Sequence, residues 1–234
     1  MTTAYIAKNI SEVRQQIHNH CAQYQRNAAN VTLLAVSKTK PAPLLRAAYD
    51  AGQRDFGENY LQESLDKQKE LSDLAIIWHF IGPIQSNKTR AIAENFQWVH
   101  SVDRLKVARR LSEQRPEDMP PLNICLQVNI SREESKSGVA PEALPELAKE
   151  IAALPNLTLR GLMAIPAPAD TLTEQRKPLA ELQKALTALQ KDYPQLDTLS
   201  MGMSGDLEAA IAEGSTMVRI GTAIFGARDY APAI

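Results

Sequence analysis

Apolar and polar positions alternate along the chain in two kinds of stretch. Short apolar runs rich in β-branched residues predict strands, whereas longer runs with an apolar residue every three or four positions predict helices. The predicted strands span 32–37, 54–58, 77–82, 97–102, 122–129, 159–165, 197–202 and 216–221. The predicted helices span 42–51, 59–73, 87–95, 103–115, 141–153, 174–191 and 206–213, and another helix over 5–26 precedes them all.

Eight strands separated by seven helices are the element count of a (β/α)8 TIM barrel, a fold that typically needs about 250 residues. Because the chain has 234 residues, such a barrel occupies nearly all of it, and we expect a single domain over 1–234. An open, doubly wound α/β sheet is the alternative. It more often has fewer strands and a glycine-rich first turn, which "SKTKPAP" after the first strand is not.

Composition narrows the partners and the compartment. The chain is 44% hydrophobic and 23% charged, with a net charge of -1, so no basic field attracts nucleic acid or an anionic membrane. No apolar run has the length of a membrane span, and "MTTAYIAKNI" lacks the layout of a signal peptide. Cys21 and Cys125 form no disulfide framework, and His18 with Cys21 lacks a second ligand pair. We therefore expect a cytoplasmic protein without a metal site.

Lys38 is the first candidate for chemistry. It follows the strand "LLAVS" and shares a face with Leu34 and Val36, which are residues of the kind that fill a barrel interior. A lysine at a strand end is ordinarily a solvated charge. At the carboxyl end of a barrel strand, however, partial burial lowers the pKa of the amine and makes it a carbonyl nucleophile.

Arg219 in "TMVRIG" is the second candidate. Val218 and Ile220 form the apolar face that suits the helix-covered outside of the barrel, so Arg219 is predicted to point inward. A buried arginine needs an acceptor. Two partners remain open, namely a carboxylate such as Glu58 or a heteroatom of a ligand.

The ends of strands seven and eight are the usual phosphate site of this fold. Ser204-Gly205 precedes the helix 206–213, and Gly221 with Thr222 follows the last strand. Backbone N–H groups and hydroxyls in these turns suit an anion, and Asp206 is expected to cap the helix and point away. A lysine opposite a phosphate site suits a Schiff base with a phosphorylated aldehyde, of which pyridoxal 5'-phosphate (PLP) is the obvious example. A Schiff-base aldolase acting on a sugar phosphate would use the same groups.

Several blocks carry a resemblance to one family. They are "LLAVSKTKP", "FGENYLQE", "WHFIGPIQSNK", "SKSG", "GLMAIPAP", "SMGMSGDLEAAI" and "VRIGTAIFGARDY". Across essentially its whole length, the chain resembles the pyridoxal phosphate homeostasis proteins, the YggS/PROSC-like family of small PLP-binding barrels.

The resemblance implies a barrel like the N-terminal domain of alanine racemase, with Lys38 as the lysine of the internal aldimine. It places the phosphate on Ser204-Gly205 and Gly221-Thr222, and Arg219 near the pyridine nitrogen. It further implies that the pocket is lined by Asn59, Ser200 and Met201, that His79 stands nearby, and that Lys136 is a candidate for secondary PLP handling. Lys40 lies just past the first strand, next to Pro41, and its position makes it a candidate for cofactor exchange.

The implied function is PLP binding, storage and delivery to PLP-dependent apo-enzymes, without substrate turnover. Because we expect no second domain, we also expect a monomer. Racemase-like relatives carry a second β domain that supplies a tyrosine acid/base, and the length leaves no room for one. The alternative is a PLP-dependent amino-acid racemase-like enzyme. That enzyme would need a second acid/base group opposite Lys38, for which Tyr60 and Tyr230 are the nearest candidates.

Overall fold

A computed structural model describes residues 3–134 and 136–228. Within these residues, eight parallel strands close into a barrel in the order β1 to β8, with β1 pairing with β8. The strands are β1 Thr32–Val36, β2 Asp55–Glu58, β3 Ile77–Phe80, β4 Trp98–Val102, β5 Leu122–Gln127, β6 Leu157–Met163, β7 Thr198–Ser200 and β8 Met217–Ile220. The predicted TIM barrel is confirmed, and the open sheet is excluded.

Helices cover the outside of the barrel. They are α1 Ala4–Gln23, α2 Ala42–Asp50, α3 Leu61–Glu70, α4 Thr89–Asn95, α5 Leu105–Gln114, α6 Leu144–Ala152, α7 Leu172–Gln190, α8 Leu207–Ala212 and α9 Thr222–Phe225. The four-residue α9 has no counterpart in the prediction. None of the helices in the described part of the chain is long and apolar enough to cross a bilayer.

The extra N-terminal helix is confirmed as α1. Its buried residues recur at helical spacing along one stripe, which is why the segment folds as an amphipathic helix: Ile6, Ile10, Val13, Ile17 and Cys21. This stripe packs against α2, α8 and α9. At the carboxyl end of the barrel, Asn9 Nδ2 donates to the carbonyl of Ile224 at 2.9 Å. The first helix is therefore fastened to the segment that follows the last strand.

The alternation of side chains along each strand separates two apolar layers. Val218 and Ile220 belong to the large cluster between strands and helices, whereas Met217 packs inside the barrel with Leu34 and Ile81. The predicted faces of β8 and β1 are therefore both confirmed. Arg219 and Lys38 follow the inward face, and this alternation brings them to one site.

Candidate functional site

A cavity of about 260 Å³ lies at the carboxyl ends of the strands. Its walls come from the segments that follow β1, β2, β3, β6, β7 and β8, as expected for a site in this fold. The lining residues are Val36, Lys38, Asn59, Ile81, Ile165, Met203, Ser204, Gly205, Arg219, Gly221, Thr222 and Arg228. Seven of the nine residues predicted to bind the cofactor are in this lining.

Lys38 is half-buried at the mouth of the barrel, directly after β1. Burial, together with the positive charge of Arg228 nearby, lowers the pKa of its ammonium group below the ordinary value. A lowered pKa increases the fraction of neutral amine at a given pH, which is the form that attacks a carbonyl. The environment of Lys38 therefore favours a nucleophile.

Two side chains of α3 hold the loop that carries Lys38. Thr39 has a left-handed backbone (φ 65), and its N–H donates to Glu63 Oε1 at 2.6 Å. Lys67 Nζ donates to the carbonyl of Ser37 at 2.7 Å. Both residues that flank Lys38 are therefore held by one turn of helix α3, which limits where the Lys38 side chain can start.

Glu58 belongs to this support and makes no ion pair with Arg219, so that possible pairing is wrong. It lies on the outer face of β2, where its Oε1 accepts hydrogen bonds from Lys67 Nζ and from Ser37 Oγ, both at 2.7 Å. Burial raises the pKa of Glu58, and the charge of Lys67 opposes that shift. The alternation of the strand is the physical reason, because Gly57 and Asp55 occupy its inward face.

Arg219 points inward and is buried beneath the cavity. Its Nη1 donates to Ser200 Oγ at 2.8 Å, and its Nη2 donates to the carbonyl of Ala164 at 3.0 Å. Burial lowers the pKa of Arg219 to about 10, so the guanidinium keeps its charge at neutral pH. The N–H groups that remain are available to a heteroatom in the cavity.

The turns after β7 and β8 contribute polar residues to the cavity that Lys38 also lines. Ser204, Gly205, Gly221 and Thr222 all line the cavity. The space beside Gly205 is open, since an added Cβ there would meet no heavy atom within 4 Å. The two turns therefore bring two glycines and two hydroxyl-bearing residues to the same cavity, and phosphate binding there stays a prediction.

The Asp206 side chain does not cap α8 as predicted. It occupies the N-cap position of α8, but its side chain makes no hydrogen bond to the helix. Instead Oδ1 accepts from the N–H of Met203 at 2.7 Å, which closes the turn that contains Ser204 and Gly205. The carboxylate thus shapes the turn and does not belong to the lining of the cavity.

Asn59 supplies an acceptor without a partner. Its Oδ1 is buried, and no donor among the described residues reaches it. A buried polar atom without a hydrogen bond costs free energy, so this oxygen is free to accept a hydrogen bond from a donor group placed in the cavity. Apolar side chains from Ile165 and Met203 complete the rim and are partly exposed.

Two of the predicted pocket residues lie elsewhere. Ser200 is fully buried below Arg219 and reaches the cavity only through that side chain. Met201 is buried in the layer between strands and helices, so the structure does not bring it to the cavity. Because Ser200 faces inward, strand alternation turns its neighbour outward.

Other lysines and tyrosines considered from the sequence are outside the lining. Lys40 is buried, and its Nζ donates to the carbonyl of Ala227 at 2.6 Å. Lys136 forms a partly exposed ion pair with Glu133 at 2.8 Å. Tyr60 is exposed beside Asn59, and Tyr230 lies outside the described residues.

His79 lies deeper in the barrel, and one charged residue of the lining was not predicted. His79 is fully buried and contacts His100, not the cavity. Arg228 lines the cavity, although it is not among the site residues predicted from the sequence. It stands in the block "VRIGTAIFGARDY", and a basic residue so near the end of β8 was the available signal.

Known proteins similar to this chain identify its family. A model of the alanine racemase N-terminal domain matches residues 13–229. The pyridoxal phosphate homeostasis protein of Pseudomonas aeruginosa is 65% identical over 97% of this chain and 98% of its own length. The protein of the same name from Escherichia coli is 55% identical over 96% of this chain and 97% of its own.

A solved structure agrees with these relatives. PipY of Synechococcus elongatus, determined with PLP bound, superposes with a TM-score of 0.83 at 39% identity, covering 94% of this chain and 100% of that one. The chain belongs to the alanine racemase N-terminal domain family and, within it, to the pyridoxal phosphate homeostasis proteins.

Proposed function

We propose that this chain binds PLP as a Schiff base on Lys38 and stores and delivers the cofactor without turning over a substrate. Nζ of Lys38 would attack the aldehyde carbon and release water, and hydrolysis would return the free aldehyde. The observation that carries the proposal is the presence of Lys38, Arg219 and the unpartnered Asn59 oxygen in one cavity with two polar turns. The relatives named above support the choice of ligand.

The residues present fit this ligand. The turns at Ser204-Gly205 and Gly221-Thr222 would receive the phosphate, and Asn59 Oδ1 would accept from the ring hydroxyl. Arg219 would face the ring nitrogen and donate to it. PLP supplies an electrophilic aldehyde and an electron-accepting ring when bound.

Arg219 also argues for binding over turnover. A charged guanidinium beside the ring nitrogen disfavours protonation of that nitrogen, because two positive charges would be adjacent. An unprotonated ring withdraws electrons less strongly and gives little support to a carbanion. Among the described residues that line the cavity, the titratable residue near Lys38 besides Arg219 is Arg228, and a guanidinium is a poor proton donor or acceptor at neutral pH.

The finer features of this role belong to the same proposal. A cavity open at the rim allows transfer of PLP to PLP-dependent apo-enzymes, which we propose as the recipients. We further propose that the protein acts in the cytoplasm as a monomer and that the whole chain 1–234 forms the one PLP-binding domain.

Borohydride trapping followed by peptide mapping tests the proposal. We expect a reduced pyridoxyl group on Lys38, together with a visible absorption band that Lys38→Ala abolishes. Lys136→Ala is the matched control, because Lys136 is exposed at the surface and outside the cavity, and it should keep the band. A label confined to another lysine would show that the assignment of Lys38 is wrong.

The racemase-like alternative is separated by a stereochemical assay. Purified protein is incubated with a panel of single-enantiomer amino acids, and the enantiomeric ratio is followed over time. The carrier proposal expects no change above that produced by free PLP. Robust racemisation that depends on Lys38 would contradict it.

A further inference from the structure

A chain of hydrogen bonds crosses the barrel interior from its N-terminal end to the cavity. Asp55 Oδ1 lies 2.8 Å from His79 Nε2, and His79 Nδ1 lies 2.9 Å from His100 Nε2. His100 Nδ1 lies 2.7 Å from Ser200 Oγ, which accepts from Arg219 Nη1 at 2.8 Å. Five strands contribute one side chain each, so the closed barrel is what assembles this chain.

The side chains of this hydrogen-bonded chain are buried, except for Asp55 at one end. His79, His100 and Ser200 are fully buried, and Arg219 is nearly so. The Asp55 side chain is 22% exposed and lines a second cavity of about 540 Å³ on the opposite side of the barrel. A change at Asp55 can therefore be made far from the site where Lys38 lies.

The two ends of the chain fix the direction of every hydrogen bond in it. Arg219 only donates, and the Asp55 carboxylate only accepts. Burial lowers the pKa of both histidines, which favours neutral rings carrying one proton each. Donation must then run from Arg219 to Ser200, from Ser200 to His100 Nδ1, from His100 Nε2 to His79 Nδ1, and from His79 Nε2 to Asp55.

We propose that Asp55, His79, His100 and Ser200 are positioning residues, which hold the Arg219 guanidinium in one orientation at the floor of the cavity. In this arrangement both buried histidines carry their proton on Nε2, and each ring nitrogen has a partner. Hydrogen bonds that follow one another in a low-dielectric interior polarise each other. Through this polarisation, the charge of Asp55 affects the hydrogen bond to Arg219, although the two side chains are not in contact.

The arrangement can be tested on the protein without any ligand. Long-range 1H–15N correlation spectra report which ring nitrogen of a histidine is protonated. The background variant His18→Gln/His20→Gln removes the other two histidines of the sequence, which leaves only the two buried rings. We expect both rings to be neutral and protonated on Nε2 at pH 7. A proton on Nδ1 of either ring would overturn the proposal.

Asp55→Asn tests whether the carboxylate acts along the whole chain. The substitution keeps the size of the side chain and removes its charge. We expect the ring 15N shifts of His100 to change together with those of His79, although the Asp55 carboxylate is hydrogen-bonded to His79 and not to His100. The control is Asp73→Asn, which removes an exposed carboxylate paired with Arg46 and should move neither ring. An unchanged His100 in Asp55→Asn would contradict the coupling.

The effect on the cavity rests on the proposed function and has its own readout. In Asp55→Asn loaded with PLP, we expect the visible absorption maximum to shift while borohydride still traps the label on Lys38. An unshifted band would show that the chain does not position Arg219 toward the ligand. Failure of the wild-type protein to trap PLP would instead refute the proposed function, and the spectra of the ligand-free protein would still decide the chain of hydrogen bonds.

Discussion

At the scale of single residues, Lys38 is distinguished by its surroundings. A typical lysine is a hydrated cation, but Lys38 is half-buried near Arg228 and follows a strand that points it into the barrel mouth. Both effects disfavour the ammonium form. Lys40, two residues later, differs because it lies outside the cavity lining and its Nζ donates a hydrogen bond to the carbonyl of Ala227.

The lowered pKa of Lys38 predicts a shifted pH profile for its reaction with an acylating reagent. Because the neutral amine is the reactive form, labelling of Lys38 should reach half its maximum at a lower pH than labelling of Lys69, which is exposed on α3. Pulse labelling with acetic anhydride and quantitative mass spectrometry measure both profiles in one sample. Coincident profiles would contradict the assigned environment.

At the scale of elements, α3 is the support of the β1 loop. Lys67 joins three segments, since its Nζ contacts Glu58 of β2, the carbonyl of Ser37 and Glu63 of its own helix, each at 2.7 Å. A buried ion pair adds little net stability, but removal of one partner leaves the other charge buried and unpaired, which is costly. The helix is therefore held in register with the loop by an interaction that is costly to break.

Lys67→Met should destabilise the protein by about 3 kcal/mol, because it leaves the buried Glu58 carboxylate without its counter-ion. Urea unfolding followed by circular dichroism measures the loss. Lys69→Met on the exposed side of the same helix is the matched control and should change little. Glu58→Gln/Lys67→Met should recover part of the loss, whereas equal stability of the two lysine variants would refute the role of Lys67.

The elements themselves were largely predictable because their apolar periodicity is strong. Differences occur at the ends, where local chemistry decides. For example, α7 begins at Leu172 and not at 174, since Thr171 caps it by accepting from the N–H of Glu174. Likewise β6 begins two residues before the predicted position 159, at Leu157. Neither end is marked by a change in the apolar pattern.

The candidate site was predictable where strand alternation and the fold determine it, as for Lys38 and Arg219. The interior chain of hydrogen bonds was not, because His79 meets His100 through the register of β3 against β4, and His100 meets Ser200 of β7 only across the closed barrel. Met201 shows a different limit. Its place was implied by resemblance alone, whereas the inward direction of Ser200 already places Met201 on the outer face.

At the scale of the whole molecule, the barrel interior is unusual in its polarity. Arg219, His100 and His79 occupy positions that apolar side chains fill in most barrels of this kind. His100 faces His79, Ser200 and Arg219, and His79 faces Asp55 and stacks on Trp98. The barrel therefore depends on neutral histidines for its internal hydrogen bonds.

Stability should fall as the pH is lowered below about 6.5, the ordinary pKa of histidine. The pKa of His100 lies well below that value in the folded state, so the unfolded chain binds the proton first. Each such group costs about 1.4 kcal/mol per pH unit in this window. Urea midpoints at pH 7.5 and 5.5 measure the loss.

The comparison needs variants because carboxylates titrate as well. His100→Gln should lose less stability between pH 7.5 and 5.5 than the wild type does, since it removes one of the groups that must remain neutral. The exposed His18→Gln serves as control and should keep the wild-type decline. If His100→Gln declines as steeply as His18→Gln, the buried ring is not the cause.

The packing of α1 against α8 and α9 joins the first helix to be synthesised to the last. While the ribosome is still translating the middle of the chain, the apolar stripe of α1 lacks α8 and α9, two of the helices that pack against it. One edge of strand β1 likewise stays unpaired until β8, its partner from Met217 to Ile220, has been synthesised. Contacts between such distant parts of a sequence form late. The nascent chain therefore exposes an amphipathic helix and an unpaired strand edge throughout elongation, and both are surfaces that chaperones bind.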